Sequence, residues 1–202
     1  MSRWGTSLGR PWVKPVVFLA ALSPSLWLLF AAASDRLGAN PAEALERATG
    51  LWALRMLCVV LAVTPVRVSL QWPALAQWRR MLGLFVFYYA LLHGTAYALF
   101  DMALDAGEIL RDIPKRPFVL VGFLAWALLA VLAMTSFKRV IRWLGAKRWQ
   151  WLHRSVYAVA LLALLHFYWM RAGKNDFDEV ALYALIIAGL LIWRMKRAWW
   201  AA

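Results

Sequence analysis

The chain contains three histidines, His93, His153 and His166, and all three fall inside apolar stretches rather than in polar connections. A neutral imidazole carries one N–H donor and one lone pair. In an apolar setting it therefore needs a hydrogen-bond partner, a metal or a cofactor. Two such rings facing each other from adjacent helices can fill both axial positions of a haem iron. The structural alternative is a pair of packing histidines bonded to backbone or hydroxyl groups. Arg55 is also set in an apolar run, Ala-Leu-Arg-Met-Leu. Its guanidinium calls for an anion such as a haem propionate, for a polar cleft, or for a route to the membrane surface. Cys58 is the only thiol. One thiol makes neither an internal disulfide nor an iron–sulfur or Cys-type zinc site, and Cys58 reads as a small buried residue.

The elements that must position these residues are apolar helices. The 202 residues are 64% hydrophobic and 16% charged, whereas soluble domains run nearer half apolar and a quarter charged. Six apolar runs cover about 16–33, 45–64 (stopped by Pro65), 81–99, 118–135 (opened by Pro117), 149–170 and 180–193. A helix of about 20 residues, rising 1.5 Å per residue, crosses a hydrocarbon core of about 30 Å. The expected fold is an all-α integral membrane protein, a bundle of six transmembrane helices forming one domain over 1–202, with no room for a soluble domain. The first run ends in Ala-Ala-Ala-Ser, which imitates a signal-peptidase site, but it is long enough to span and reads as a retained helix.

The net charge of +13 is distributed by topology. Basic residues without acids occupy the N-terminus (Arg3, Arg10, Lys14), the second connection (Arg67, Arg79, Arg80), the fourth connection (Lys138, Arg139, Arg142, Lys147, Arg148) and the C-terminus (Arg194, Lys196, Arg197). All ten acids fall in or beside the other three connections: Asp35, Glu43 and Glu46; Asp101, Asp105, Glu108 and Asp112; Asp176, Asp178 and Glu179. The positive-inside rule then places both termini in the cytoplasm. It also explains the charge through a lipid partner, so nucleic acid is not expected. Many of the fourteen tryptophans, Trp199 and Trp200 among them, lie at segment ends, where membrane interfaces favour them.

This topology ranks the histidines by depth. His93 lies about 12 residues above Met81 and His166 about 14 above Leu152, which puts both in the outer half of the membrane. Ala90, Gly94 and Ala163 beside them would leave room for a flat macrocycle. His153 lies 13 residues below His166, about 20 Å along a continuous helix and about 140° around it. Fourteen residues back from His93 stands Arg79, followed by Arg80, and no histidine. His153 is open to three readings: the single ligand of a second haem, a hydrogen-bond donor to a quinone or flavin, or a structural interface residue. Tyr88, Tyr89, Tyr97 and Tyr157 are placed to line a cofactor, although aromatic residues at helical spacing commonly serve packing.

The stretches TGLWALRMLCVVLAVTPVR (49–67), RRMLGLFVFYYALLHGTAY (79–97), KRPFVLVGFLAWALLAVLAMTS (115–136) and LGAKRWQWLHRSVYAVALLALLHFYW (144–169) together resemble the MsrQ (formerly YedZ) family. These are the haem-binding membrane subunits of the bacterial MsrPQ methionine sulfoxide reductase system, within the ferric reductase-like transmembrane superfamily. The resemblance implies haem b in a six-helix bundle of the bacterial inner membrane. It implies electrons drawn from the quinone pool or another cytoplasmic-side donor and passed to a periplasmic, molybdopterin-containing catalytic subunit that repairs oxidised periplasmic proteins. FMN is a further cofactor implied by the family alone, since the chain has no phosphate-cradling motif. In the wider superfamily the third segment usually carries two histidines; here Arg79 stands where the inner one would be. The resemblance therefore supports His93 with His166 as the axial pair and leaves His153, Arg79 and Arg80 at the inner end. The flavin and nicotinamide domains of the related NADPH oxidases have no counterpart here. The expected role is an electron-transfer subunit with no catalytic residues of its own. The alternatives are a self-contained ferric or quinone reductase and a non-redox transporter or assembly factor.

Overall fold

A computed structural model describes residues 10–173 and 175–199. Arg3 and Trp200 lie outside the described residues, and Trp199 is described by its backbone alone. The chain divides into two compact units, Met1–Ala103 and Leu104–Ala202.

In the first unit, α1 covers Val13–Ala33, α2 Pro41–Ser69 and α3 Arg79–Ala96. A 3₁₀ turn, Pro73–Trp78, leads into α3, whose end widens into a π turn over Tyr97–Asp101. The start of α2 is specified locally. The Asn40 side chain accepts from Glu43 N at 3.2 Å, Pro41 opens the helix and Glu43 sits in its positive first turn. The most extensive pairing in this unit is α2 against α3. Leu54, Leu57 and Leu61 of α2 and Leu82, Phe85, Val86 and Tyr89 of α3 are buried, at the three- and four-residue spacing of a helix stripe.

Pro24 interrupts the hydrogen bonds of α1 and exposes a need that side chains fill. The Ser23 hydroxyl donates to Ala20 O at 3.0 Å, the carbonyl that proline cannot serve. One rung on, the fully buried Tyr89 hydroxyl donates to Ala21 O at 2.7 Å and accepts from Ser25 N at 3.3 Å. Tyr88 donates to Ser25 Oγ at 3.1 Å. Such re-satisfaction is what allows proline inside a membrane helix. It assigns Tyr88 and Tyr89 to packing between α1 and α3.

In the second unit, α4 covers Ala106–Lys115, α5 Pro117–Met134, α6 Lys138–His153, α7 Val156–Ala172 and α8 Asp178–Trp199. Asp105 caps α4 by accepting from Gly107 N and Glu108 N, and Arg116 pairs with Asp112 before Pro117 opens α5. The largest pairing here is α5 with α7. The buried Arg171 ties α7 to α8 by donating to Asp176 and Glu179, each at 2.7 Å. Arg194 of α8 donates to the Tyr157 hydroxyl at 2.8 Å, which gives Tyr157 a packing role.

Val13–Ala33, Pro41–Ser69, Pro73–Asp101, Pro117–Met134 and the stretch Lys138–Ala172 are each long and apolar enough to cross a membrane. Large apolar side chains such as Leu19, Trp27, Leu29 and Phe30 of α1 face outward, as lipid contact requires. The protein is an all-α integral membrane protein. The uncharged part of α8, 180–193, has fourteen residues, about 21 Å of helix against a core of about 30 Å. By length and composition α8 therefore does not stand with the other five.

Two expectations are corrected. Pro65 does not stop α2, which continues to Ser69; one lost rung is tolerated where the helix is otherwise intact and packed. The run 149–170 is not one helix. It breaks at Arg154–Ser155, so Trp149–His153 closes α6 and His166 belongs to α7. The twenty-ångström and 140° relation between His153 and His166 assumed one unbroken helix, and a turn with right-handed dihedrals at Arg154 and Ser155 lies between them. The fourth connection is itself helical: its basic residues lie on α6, broken internally at Gly145, whose φ of 74° suits glycine.

Removing the Tyr89 hydroxyl leaves two groups of α1 without their partner in an apolar setting. Tyr89→Phe is expected to lower stability by about 1–3 kcal/mol, read from thermal unfolding in detergent; an unchanged midpoint would contradict the bridging role.

Candidate functional site

His93 stands near the end of α3 and reaches across to α2. Its Nδ1 lies 2.9 Å from the Glu46 carbonyl oxygen. A carbonyl only accepts, so Nδ1 carries the proton and Nε2 the lone pair. The approach is possible because α2 has Gly50 one turn beyond Glu46. A Cβ there would lie 3.1 Å from both Nδ1 and Cε1 of the ring, tighter than carbon normally packs.

His166 is seated in the same manner inside the second unit. Its Nδ1 lies 2.7 Å from Phe118 O on α5, which again fixes the proton on Nδ1. Gly122 lies one turn beyond Phe118, and a Cβ there would stand 2.8 Å from Nδ1 and 2.9 Å from Cε1. The separation in sequence is nearly equal in the two seats, 47 and 48 residues. Both carbonyls lie near the N-terminal ends of helices that follow acidic connections.

The two seats suit a metal-bound cofactor. A ligating histidine characteristically gives its second N–H to a carbonyl or carboxylate, which sets the tautomer and raises the basicity of the ligating nitrogen. Both rings are half-buried. Of the small residues beside them, Ala90 is buried and Ala163 half-buried. Arg55 shares α2 with Gly50, five residues on, about 7.5 Å along the axis. Its guanidinium lies over the Trp52 ring, 4.8 Å from the centroid, and Trp52 in turn stacks on Tyr89 at 6.1 Å. The aromatic face offsets part of the cost of holding a cation in an apolar segment.

His153 is held differently. Its Nδ1 lies 3.2 Å from Trp149 O of its own helix, its Nε2 is 3.5 Å from Ser136 Oγ, and its ring stacks on Trp149 at 3.9 Å. Trp149 Nε1 donates to Thr135 O at 3.0 Å, so His153 and Trp149 together dock α6 on the end of α5. In the first unit, Arg79 and Arg80 are exposed at the start of α3, about 20 Å along the axis from His93. Trp78, just before them, is buried, and its Nε1 has no hydrogen-bond partner among the described residues.

The sequence reading picked out all three histidines but missed Gly50 and Gly122. The available signal was a glycine inside each apolar run, where it costs helix stability without serving a turn.

Residues 49–164 match the family described as ferric reductase like transmembrane component. The fold and the matched segment thus define a membrane-embedded, ferric reductase-like helical protein. Over nearly its whole length the chain is similar to proteins named "Protein-methionine-sulfoxide reductase heme-binding subunit MsrQ". It is 59% identical to that of Polaromonas naphthalenivorans over 190 residues, 94% of this chain and 87% of the relative. It is 49% identical to that of Herminiimonas arsenicoxydans over 187 residues (93% and 86%) and 48% identical to that of Bordetella pertussis over 194 (96% and 92%). The chain belongs to the MsrQ family.

Trp52 carries both the Arg55 contact and the stack on Tyr89. Trp52→Leu is expected to cost about 2 kcal/mol through the lost cation–π contact and aromatic stacking, and Trp52→Phe less. Chemical or thermal unfolding of both variants in the same detergent checks the order, and equal losses would deny Trp52 this role.

Proposed function

We propose that the chain is a b-type cytochrome subunit that carries electrons through the bacterial inner membrane to a periplasmic methionine sulfoxide reductase. The relatives named as haem-binding subunits of that system support this reading. The observation that carries it is the pair of matched histidine seats, each with Nδ1–H given to a carbonyl of a neighbouring helix, the tautomer that puts the ring's lone pair on Nε2. His93 and His166 are the residues that would hold the iron of haem b, each through Nε2. Arg55, already held on Trp52, is the proposed cation for a propionate.

Bound haem supplies one-electron redox chemistry. The protein's part is to fix two imidazoles in one tautomer and to hold a cation nearby. The proposed topology has six spans, with α8 as the shortest, and both termini in the cytoplasm. It rests on the separation of basic from acidic connections. In that orientation His93 and His166 lie toward the periplasm, on the side of the acidic connections where the molybdopterin-containing catalytic subunit docks. His153, Arg79 and Arg80 mark the inner end, facing the quinone pool. The two ring contacts of His153, to Trp149 O and Ser136 Oγ, favour hydrogen bonding there over iron ligation. The basic residues of α6 meet lipid headgroups on that side.

A dithionite-reduced minus oxidised spectrum of the purified protein tests the reading. The wild type is expected to show a low-spin b-type haem. His93→Ala and His166→Ala are each expected to abolish it, and His153→Ala to leave most of it. Low-spin haem intact in His93→Ala removes the axial assignment. A colourless protein after expression with ample haem favours a non-redox membrane role, and turnover of ferric iron or quinone without a partner favours a self-contained reductase.

A further inference from the structure

The rings of His93 and His166 are each seated on a backbone carbonyl that is approached over a glycine. We infer that Gly50 and Gly122 are positioning residues, each forming the floor on which an axial imidazole lies flat enough to reach a backbone carbonyl. The inference rests on the assignment of His93 and His166 as ligands and goes beyond it to residues that touch neither iron nor substrate.

The geometry is the same in both units. A carbonyl inside a helix normally receives the N–H four residues on, and its remaining lone pair is flanked by side chains of the next turn. An imidazole reaches that lone pair only by lying close over the residue at that next turn. In α2 the carbonyl is Glu46 and the residue is Gly50; in α5 they are Phe118 and Gly122. An added Cβ would meet the His93 ring at 3.1 Å and the His166 ring at 2.8 Å. Neither ring can retreat without lengthening its hydrogen bond. Both glycines have negative φ within regular helix, so a demand for left-handed backbone is not why glycine stands there. Gly83 and Gly189 are also helical, and a Cβ on either meets nothing within 4 Å. A similar contact at another helical glycine is that of Gly107, where a Cβ would meet the capping Asp105 Oδ1 at 3.1 Å; a close approach to a ring is a feature of the two histidine seats.

The consequence reaches the iron. A strong Nδ1–H···O bond gives the ring more anionic character and favours the ferric state, and its loss favours the ferrous state. An alanine at either glycine must push the ring off its carbonyl. Haem affinity is expected to fall about tenfold or more, the range typical of lost outer partners of a metal ligand. The midpoint potential of the haem that remains is expected to rise. Gly122→Ala should act more strongly than Gly50→Ala, because its overlap is deeper.

The test measures haem affinity, midpoint potential and the low-spin electron paramagnetic resonance signal in Gly50→Ala, Gly122→Ala and the controls Gly83→Ala and Gly189→Ala. Weakened haem binding with a raised potential in the first two, beside wild-type values in the controls, supports the inference. Wild-type affinity and potential in both seat variants overturns it. A second measurement covers a Gly122→Ala protein that does not accumulate. In His166→Gly the ring is absent, so a methyl at position 122 has space, and added imidazole can be titrated back to restore the low-spin spectrum. Rescue is expected in His166→Gly and to require about tenfold more imidazole in His166→Gly/Gly122→Ala. Equal rescue in the two backgrounds overturns the inference. The underlying haem reading fails separately, if His93→Ala and His166→Ala both keep low-spin haem.

Discussion

An imidazole N–H inside a bilayer must be given to something, and in a helical membrane protein the abundant acceptors are backbone carbonyls that already hold one hydrogen bond. The arrangement of both candidate ligands follows from this constraint. A second lone pair on a helical carbonyl is reachable only where the adjacent turn has no side chain in the way. Glycine at that turn opens the approach, and the ring that enters is fixed in orientation and tautomer together. The lone pair on Nε2 then points away from the helix that accepted the proton. One contact therefore settles three properties of a ligand: which nitrogen binds, where it points and how basic it is.

The same economy of acceptors organises the rest of the first unit. Pro24 opens α1, and Ser23, Tyr88, Tyr89 and Ser25 together satisfy the groups it releases. Tyr89 is also one face of the stack that runs through Trp52 to Arg55. The polar atoms that serve the groups released by Pro24 are thus continuous, through two rings, with the cation proposed to serve the cofactor. A defect in α1 would be felt at Arg55 through packing rather than through charge.

The parts of the fold that depend on composition and charge were legible in the sequence. The apolar runs, Pro117 as an opener of a helix and the segregation of acids from bases all follow from residue type alone. The three histidines stood out because an ionisable ring in an apolar run is rare. What was not legible depends on three-dimensional neighbours. Whether Pro65 ends a helix depends on packing around the lost rung, and here α2 continues. The break at Arg154–Ser155 has no glycine or proline to announce it. Gly50 and Gly122 look like ordinary helix-weakening residues until the rings above them are seen. The depth ranking of the histidines assumed unbroken helices, and the turn at Arg154–Ser155 interrupts the count between His153 and His166.

The contrast among the histidines comes down to which helix accepts the hydrogen bond. His93 and His166 donate to a neighbouring helix, so their orientation is set by the packing of two elements. His153 faces Trp149 O of its own helix, four residues back, and lies against the indole of that same residue. A ring held by its own helix turns with that helix and reports its docking, here through Trp149 Nε1 on Thr135 O and the Ser136 hydroxyl near Nε2. A metal ligand has to stay fixed while the charge on its metal changes, and two-helix anchoring provides that rigidity better than a local contact at a helix end. On this physical ground His93 and His166 have the two-helix anchoring a metal ligand needs, whereas His153 is held at the junction of α6 with the end of α5.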